Sequence, residues 1–582
     1  MVEISDTLLA QLKRDIVRRH INCGVSCLQA HESLLESLDP TQRNACRLVC
    51  YVAQWVDIGF ARPARVKTLL MRFPKALRAE LQLSNYIYLR MAEGMVAMAE
   101  EATAIAVEHF DLVLALGQDL DDKETLAVAS FWKARCLRKA GEYDDAFAYT
   151  VKARNLALEL GHPKMAAVMA VLESWLLFQK GKPKNAATLL REAQEALRDT
   201  DDYVTLGNIH SSYGRMARRE GRYYDAIDHF TRAIEEYCKR DSKHPHLGRS
   251  LANMALVERL ACLQLRRKID ASSERRRKTG KGKQPKLKNN SADHRLTFEQ
   301  LRQQVSTHLD QAAAIFQYHG NHHGAGTVHL IYGYLYLDDG DFDRAEQEAA
   351  IAFELAEQKS DYIVMSRIRL LQSMVENARV DEEIGGRLEQ EKDARAALKF
   401  AQDAIEFAKQ TQNRRLLANA YVWEGLSHCN PILNDRDAAE KSYNSALPFL
   451  KNDQGGQLWD DLQALKTRIM RTGKVDATLK AWSQGSVGEK TFQQIVEEFS
   501  ELIIPKIWER EGRKVSRVAT RLAVSPKKVR RILTRVGARK NSTGASLSGC
   551  SAVARADRKR PIPLAISKRK RANSETAEQE NM

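Results

Sequence analysis

The sequence predicts an all-α protein in which repeated helical hairpins form a superhelix, followed by a small helical domain. Three observations predict this class. Glycine and proline are scarce, at 30 and 13 of 582 residues, and strong helix formers dominate the composition. Apolar residues recur at steps of three and four, which is the period of an amphipathic helix. A pattern of small residues also recurs every 40 residues in the middle of the chain.

The positive charge of the chain is concentrated in two segments. The formal net charge is +16, of which residues 512–582 carry +15 and residues 266–295 carry +9, leaving −8 for the remainder. Two basic segments on a mildly acidic body indicate specific contacts with polyanions. The length is sufficient for several domains or for one long repeat array.

Three features of the sequence predict a cytoplasmic protein. Charges interrupt the first 20 residues, so they do not resemble a signal peptide, and no apolar run approaches the ~18 residues of a membrane-spanning helix. Nine cysteines, an odd number, favour a reducing compartment over a disulfide framework. No catalytic triad, carboxylate pair or metallohydrolase pattern stands out, so we expect neither an enzyme nor a cofactor.

The N-terminal region, residues 1–75, is predicted to be helical and to cap the repeat array. Residues 5–36 and 41–59 show helical periodicity and are separated at Pro40, which predicts two helices. Pro63 and Pro74 then divide shorter helices.

Four cysteines flank the first predicted turn and offer two interpretations. Cys23 and Cys27 share one helical face, as do Cys46 and Cys50. Four converging thiolates would bind Zn²⁺, whereas small apolar thiols would simply fill a close helix contact. Spacing of i,i+4 is unusual for structural zinc, so we favour packing and keep the metal site as the weaker alternative.

A repeating pattern from about residue 120 predicts helical hairpins. Each unit has a small residue, then a glycine seven positions later, an aromatic or proline after two more, and two alanines that follow the glycine by five and twelve positions. Small residues let two antiparallel helices approach closely, and glycine permits the tight turn between them. The three clearest units contain Ala134, Gly141, Tyr143, Ala146 and Ala153; Ser174, Gly181, Pro183, Ala186 and Ala193; and Gly214, Gly221, Tyr223, Ala226 and Ala233.

This pattern resembles the tetratricopeptide repeat, although its 40-residue step is longer than the family's usual ~34. The resemblance covers about residues 76–451, and we assign residues 76–456 to the array; an irregular helical bundle is the alternative. It implies a tetratricopeptide-like superhelix whose concave face is lined by the first helix of each hairpin and binds a protein or peptide.

The resemblance also implies which side chains line that groove. The position after each small residue faces the groove in the family, and Arg218 lies further along one of the same helices. Arginines and aromatic side chains suit an acidic or amphipathic partner segment, although a solvated basic surface would show the same pattern. The predicted groove residues are Arg135, Trp175, Arg215, Arg218 and Tyr334.

Irregular steps in the repeat predict insertions and the end of the array. The step from Ala226 to Ser306 is doubled, and the intervening sequence is polar and basic, so we expect a disordered basic insertion at about residues 270–295. Residues 381–392 form a shorter insertion. Residues 457–484 are predicted to be capping helices and a linker.

Residues 485–540 are predicted to form a helix-turn-helix domain. A periodic helix over residues 489–511 precedes two short helices at about 514–523 and 526–537. Ser525 is a favourable N-cap and Pro526 a favourable first residue for the second short helix. Ala519 supplies the small side chain needed where the two helices cross.

Residues 514–537, KVSRVATRLAVSPKKVRRILTRVG, resemble the Fis family and the related C-terminal domains of nitrogen-regulation-type activators. The resemblance implies that the second short helix enters the DNA major groove and that the helix 489–511 mediates a homodimer. Two departures are Lys528-Val529, where the family often has Thr-Leu, and Ala523 at a turn position that often carries glycine. No ATPase domain precedes the motif, which excludes an activator driven by its own ATP hydrolysis.

The predicted DNA contacts are cationic or polar residues of this motif. Residues 512–540 hold 11 Lys or Arg and no Asp or Glu, and the mutual repulsion of these cations favours a polyanionic partner. Residues 541–582 are predicted to be a disordered basic tail. The predicted DNA-binding residues are Arg513, Lys514, Arg517, Ser525, Lys527, Lys528, Arg530, Arg531 and Arg535.

The sequence thus predicts a DNA-binding transcriptional regulator whose repeat array binds a regulatory protein or peptide. The bacterial character of the Fis-like motif favours a nucleoid-associated protein of the bacterial cytoplasm. The alternative is a non-enzymatic tetratricopeptide scaffold or adaptor, in which the basic C-terminal region and insertion contact acidic proteins or RNA.

Overall fold

The computed structural model describes residues 4–58, 60, 62–279, 298–450, 455–471 and 490–543, which contain helices and no strands. The chain divides into two compact units, Met1–Lys474 and Val475–Met582. Within the described ranges, no helix combines the length and the apolar composition needed to cross a bilayer.

The first unit contains 23 described helices. They are α1 (Asp6–Arg18), α2 (Ile21–Ala30), α3 (Glu32–Glu36), α4 (Ala45–Val56), α5 (Pro63–Met71), α6 (Lys75–Ala79), α7 (Leu83–Ala99), α8 (Thr103–Asp119), α9 (Lys123–Ala140), α10 (Tyr143–Glu159), α11 (Pro163–Gln179), α12 (Pro183–Leu197), α13 (Tyr203–Arg219), α14 (Tyr223–Arg240), α15 (Pro245–Thr279), α16 (Phe298–His319), α17 (His322–Asp339), α18 (Phe342–Glu357), α19 (Tyr362–Asp381), α20 (Arg387–Lys409), α21 (Arg414–His428), α22 (Arg436–Leu450) and α23 (Gly456–Arg471).

Consecutive helices from α7 to α22 pack as hairpins, which confirms the predicted tetratricopeptide-like architecture. The turns within four hairpins contain Gly141, Gly181, Gly221 and Gly340, with φ between 75° and 90°. Side chains other than glycine rarely adopt this left-handed conformation, so the glycines are required by the turn geometry.

Small residues are buried where the paired helices meet. Ala146, Ala186 and Ala226 are each fully buried at equivalent places in three successive hairpins. Gly214 packs so closely against the ring of Phe230 that a Cβ atom at this position would lie 2.9 Å from it. The hairpins therefore depend on small side chains at the helix contacts, as the repeat pattern predicts.

The predicted first helix, residues 5–36, is in fact three helices. The break after α1 is at Arg19, which adopts a left-handed φ of 57° and forms a buried ion pair with Asp202 at 2.8 Å. Helix α2 then begins at Ile21, where the carboxylate of Asp201 accepts hydrogen bonds of 2.6 Å from two consecutive backbone amides. Contacts with a distant hairpin thus interrupt a segment whose local periodicity predicts continuous helix.

Hairpins that are far apart in the chain also touch. The amide of Gln412, between α20 and α21, donates to the carbonyl oxygen of Gly141 at 2.9 Å. The Gln412 side chain accepts from the amide of Asp144, 268 residues away, at 2.6 Å. In the same way, Gly456 at the start of α23 packs against backbone oxygens at the end of α13. The array therefore forms a closely wound superhelix with an inner face.

The large insertion begins later than predicted. Helix α15 continues to Thr279, although disorder is predicted from about residue 270. Residues 280–297 lie outside the described residues, between α15 and α16 of one hairpin. Residues 472–484 of the predicted capping helices and linker, residues 485–489 of the predicted helix-turn-helix domain, and the tail from residue 544 also lie outside the described residues.

The second unit contains three described helices, α24 (Phe492–Arg510), α25 (Val515–Leu522) and α26 (Pro526–Thr543). Helix α25 ends at Ala523, which has a left-handed φ of 51°, and the Ser525 hydroxyl accepts a 3.2 Å hydrogen bond from the amide of Lys528 in α26. A small apolar core joins the three helices through Ile504, Val518, Ala519, Val529 and Ile532. Membership of the Fis family stays a prediction.

We expect Gly214→Ala to lower the thermal unfolding midpoint, because the new methyl group would displace the fully buried Phe230 ring. Overpacking of this kind costs about 1–3 kcal/mol. Gly386→Ala is the matched control, since a Cβ atom there would meet nothing within 4 Å. Circular dichroism during heating measures both variants, and equal midpoints would contradict the close packing of α13 against α14.

Candidate functional site

A cavity of about 180 Å³ opens on the inner face of the array. Helices α9, α11, α13 and α15 supply most of its wall, with additions from α1 and the end of α4. Three predicted groove residues, Arg135, Trp175 and Arg215, line this cavity. The superhelix thus brings together side chains that are 40 residues apart in the sequence.

The lining of the cavity is strongly basic. It contains five arginines and one carboxylate, that of Asp57. Arg135 pairs with Asp57 at 2.7 Å, and Arg19 pairs with Asp202. Within the described residues, the other three arginines have no carboxylate at ion-pair distance. They are Arg138, Arg215 and Arg249.

These three arginines, called the arginine triad below, project from α9, α13 and α15. Arg138 stacks over the Trp175 ring, 5.3 Å from its centroid. Arg215 is held by hydrogen bonds of 3.1 and 3.2 Å to the carbonyl and hydroxyl oxygens of Ser211. Aromatic and neutral polar groups therefore orient two of the guanidinium groups without neutralising their charge.

Burial and mutual repulsion disfavour charge within the arginine triad. Burial, reinforced by the neighbouring cations Arg249 and Arg215, lowers the pKa of Arg138 to about 9. Burial is also the main reason for the lowered pKa values of Arg215 and Arg249. The carboxylates of Asp57 and Glu101 offset part of this effect for Arg249. The cavity therefore confines three cations that have no ion-pair partner among the described residues, and a bound anion would stabilise them.

The other polar groups of the cavity are neutral hydrogen-bonding groups. Burial holds the pKa of His246 well below its usual range, and its Nδ1 lies 2.8 Å from the Asn208 side-chain oxygen. The hydroxyls of Ser211 and Ser250 also line the wall. The site can therefore attract an anion through arginine and complete its solvation with neutral polar groups.

The positive surface continues beyond the cavity towards α21. Arg218 donates to Asn253 at 3.0 Å, and burial, followed by the nearby charge of Arg367, lowers its pKa to about 10. Burial and neighbouring cations likewise lower the pKa of Arg415 to about 9. Arg218 thus borders the cavity that Asn253 lines, which extends the basic strip along the inner face.

Tyr334 lies apart from the cavity, against a different arginine. Its ring centroid is 4.8 Å from the guanidinium carbon of Arg259, which also forms an ion pair with Asp338 at 2.6 Å. The structure therefore does not bring Tyr334 together with Arg135, Trp175 and Arg215.

Sequence reasoning missed Arg249, the member of the triad on α15. The signal was present, since Gly248-Arg249 repeats the small-residue-then-arginine pair of Gly214-Arg215. The step between them is 34 residues rather than the 40 of the preceding units, so the 40-residue repeat does not predict Arg249.

The predicted DNA-binding residues of the second unit fall into three groups. Arg535 binds Glu497 and Glu501 of α24, both at 3.2 Å, and Arg531 lies 3.8 Å from Glu497. Arg513 instead stacks on the Trp508 ring, and Ser525 caps α26. The remaining predicted residues form no ion pair among the described residues, and they are Lys514, Arg517, Lys527, Lys528 and Arg530.

The alternative zinc site on four cysteines is not formed. Cys23 is exposed whereas Cys27, Cys46 and Cys50 are buried, and burial raises the pKa of the Cys46 thiol to about 11. Over the part of the chain that the structure describes, no three His, Cys, Asp or Glu side chains converge to hold a metal ion. Cys27, Cys46 and Cys50 belong to the apolar core of the N-terminal helices.

No protein-family profile and no curated protein matches the chain. Its similarities are to solved structures of helical repeat proteins. They include a human IFIT1 dimer with m7Gppp-AAAA, with 10% identity over 86% of this chain and 95% of that chain and a TM-score of 0.38. The Rap conjugation gene regulator of plasmid pLS20, in complex with the Phr* peptide, has 11% identity over 69% of this chain and 96% of that chain, with a TM-score of 0.42. The apo quorum sensor NprR from B. thuringiensis has 12% identity over 76% of this chain and 98% of that chain, with a TM-score of 0.38. Scores of this size assign no function.

We expect Arg138→Gln to raise the thermal midpoint at low ionic strength, because it removes one of three repelling charges. Such repulsion is on the order of 2 kcal/mol, and the lost contact with Trp175 offsets about 0.5–1 kcal/mol of it. The net increase should be about 1–2 °C and should shrink as salt screens the charges. Calorimetry at low and high salt measures it.

Arg191→Gln provides the control for this measurement, since it removes an exposed arginine of α12 that does not line the cavity. If Arg138→Gln instead lowers the thermal midpoint at every salt concentration, Arg138 stabilises the free array and the prediction is wrong.

Proposed function

We propose that this chain is a ligand-controlled DNA-binding regulator. The inner face of the array binds an acidic segment of a protein or peptide, and the second unit binds DNA. The observation that carries the proposal is the cavity whose arginine triad has no carboxylate partner among the described residues. Partly buried cations without an ion-pair partner lower the stability of the folded state, and a bound anion removes this destabilisation.

The chemistry of the inner face supports an acidic ligand. Guanidinium groups bind carboxylates through paired hydrogen bonds, and arginines continue from the triad to Arg218 and Arg415. An extended segment with several carboxylates would contact the whole basic strip, whereas a neutral segment would leave the arginine triad without an ion-pair partner among the described residues. The Trp175 ring adds an apolar contact beside Arg138 for an amphipathic segment.

The charge distribution of the second unit supports DNA binding. Lys527 and Arg530 are exposed and lie three residues apart on α26, so they share one side of the helix. A cationic helix of this length fits the major groove of DNA, where Lys and Arg contact phosphates and guanine edges. The N-terminus of α26, capped by Ser525, suits a phosphate of the DNA backbone.

An exposed apolar face on α24 supports a homodimer through residues 489–511. Phe492 is 81% exposed, Val496 39% and Phe499 46%. Their spacing of four and three residues places them on one stripe, as in a helix that pairs with a copy of itself. A dimer would place two copies of α26 on one DNA molecule and increase affinity through two half-sites.

We expect a fluorescein-labelled peptide of twelve glutamates to bind the full chain at low salt, because its carboxylates neutralise the inner-face arginines. Arg215→Gln should weaken binding about tenfold, since it removes one charge-assisted contact of about 1.5 kcal/mol. Arg191→Gln should leave it unchanged. Fluorescence anisotropy measures the affinities, and equal binding of a twelve-lysine peptide would exclude an acidic-ligand site.

We expect the full chain to shift duplex DNA in electrophoresis, with affinity that falls steeply as salt rises. Arg530→Ala should weaken binding by about 1 kcal/mol. It should also reduce the slope of log affinity against log salt concentration by about 1, because one phosphate contact is lost. Arg535→Ala is the matched control, because its charge is already paired with Glu497 and Glu501 and its loss should matter less.

Absence of any shift at low salt would remove DNA from the proposed function. In that case the adaptor function, with the same acidic-ligand site in the array, would be the better assignment.

A further inference from the structure

We infer that the arginine triad is a subsite for a phosphate monoester carried by the ligand. The inference rests on the proposed ligand-binding function of the inner face and specifies the anion that this face recognises. Arg138, Arg215 and Arg249 face one cavity from three different helices.

The charge of the cavity matches a dianion better than a carboxylate. Arg135 and Arg19 are each paired with an aspartate. The three cations of the triad have no carboxylate at ion-pair distance among the described residues, although Asp57 and Glu101 act on Arg249 from further away. A carboxylate would neutralise one of them and leave two repelling cations. A phosphate monoester carries a charge of about −1.5 to −2 at neutral pH and would leave about one.

The placement of the triad on three different helices also suits a phosphate group. A carboxylate presents two oxygens in one plane, which suits a single guanidinium group. A phosphate monoester presents three terminal oxygens in three directions. We therefore expect guanidinium groups from α9, α13 and α15 to bind different oxygens of one phosphate.

The surroundings of the triad prepare it for a small, strongly charged group. The stacking on Trp175 and the hydrogen bonds to Ser211 already restrict Arg138 and Arg215, so less side-chain entropy is lost on binding. Asp57, the only carboxylate in the cavity wall, is occupied by Arg135 and does not repel a second anion directly. The hydroxyl of Ser250 donates to that of Ser211 at 3.4 Å, which helps to hold Ser211 beside Arg215.

Protonation distinguishes the two kinds of anion. The second pKa of a phosphate monoester is about 6, so its charge falls between pH 7.5 and pH 5, whereas a glutamate side chain stays ionised. The titratable groups in the cavity wall do not change over this interval. Burial holds the pKa of His246 well below its usual range and raises that of Tyr237. The ion pair with Arg135 outweighs burial and lowers the pKa of Asp57.

The test is isothermal titration calorimetry of the full chain with a blocked five-residue peptide, Ala-Gly-X-Gly-Ala. The central residue is phosphoserine, glutamate or serine, and AMP and inorganic phosphate are titrated separately. We expect the phosphoserine peptide to bind at least about tenfold tighter than the glutamate peptide at pH 7.5. Its affinity should fall about tenfold at pH 5, while the weaker glutamate binding stays nearly constant.

Variants assign the binding to the triad. Arg138→Gln and Arg249→Gln should each weaken phosphoserine-peptide binding about tenfold, and Arg191→Gln should not. Because a variant can lose binding by unfolding, ³¹P NMR of the peptide with the unmodified chain gives an independent readout. The cations should lower the pKa of the bound phosphate below that of the free peptide.

The outcomes separate this inference from the proposed function. Equal binding of the phosphoserine and glutamate peptides at both pH values, with the twelve-glutamate peptide still bound, would overturn the phosphate subsite alone. Binding of none of the anions would overturn both. Binding of AMP or inorganic phosphate in preference to the phosphoserine peptide would support the subsite and identify a small phosphorylated ligand as its source.

Discussion

The close approach of the two helices in each hairpin is the constraint on which the first unit depends. It requires a small residue at the contact. At Gly214 a larger side chain would meet the buried ring of Phe230, and Ala146 is fully buried at the equivalent contact of another hairpin. Uniform close packing lets each hairpin stack on the next with the same orientation. Equivalent positions of successive first helices therefore face the same inner surface, and this places Arg135 and Arg215 in one cavity.

Two kinds of buried arginine illustrate how charge is used in this fold. Arg19 is paired with Asp202, and the pair joins the N-terminal helices to a repeat, so its role is structural. Arg138 has no carboxylate partner among the described residues, and its environment opposes its charge. A side chain that does not stabilise the free fold is typical of a binding site, where local stability is given up for interaction with a partner.

Local patterns predicted the hairpins well because a hairpin depends on residues close together in sequence. The glycines at turns and the alanines at helix contacts are sufficient to place most of the array, and the resemblance to a repeat family placed Arg135, Trp175 and Arg215 on its inner face. The break at Arg19 was not predictable, since it depends on Asp202 in a distant hairpin. Arg249 was missed because its hairpin follows a different period, and Tyr334 shares the expected register but lies against Arg259.

The hydrogen bond from Gln412 to Gly141 has a mechanical consequence. It joins two coils of the superhelix that already touch. These coils cannot approach each other further, and they can separate only if contacts such as this hydrogen bond are broken. A ligand that widens the space enclosed by the inner face must therefore separate the coils at these contacts, while the helices themselves stay rigid.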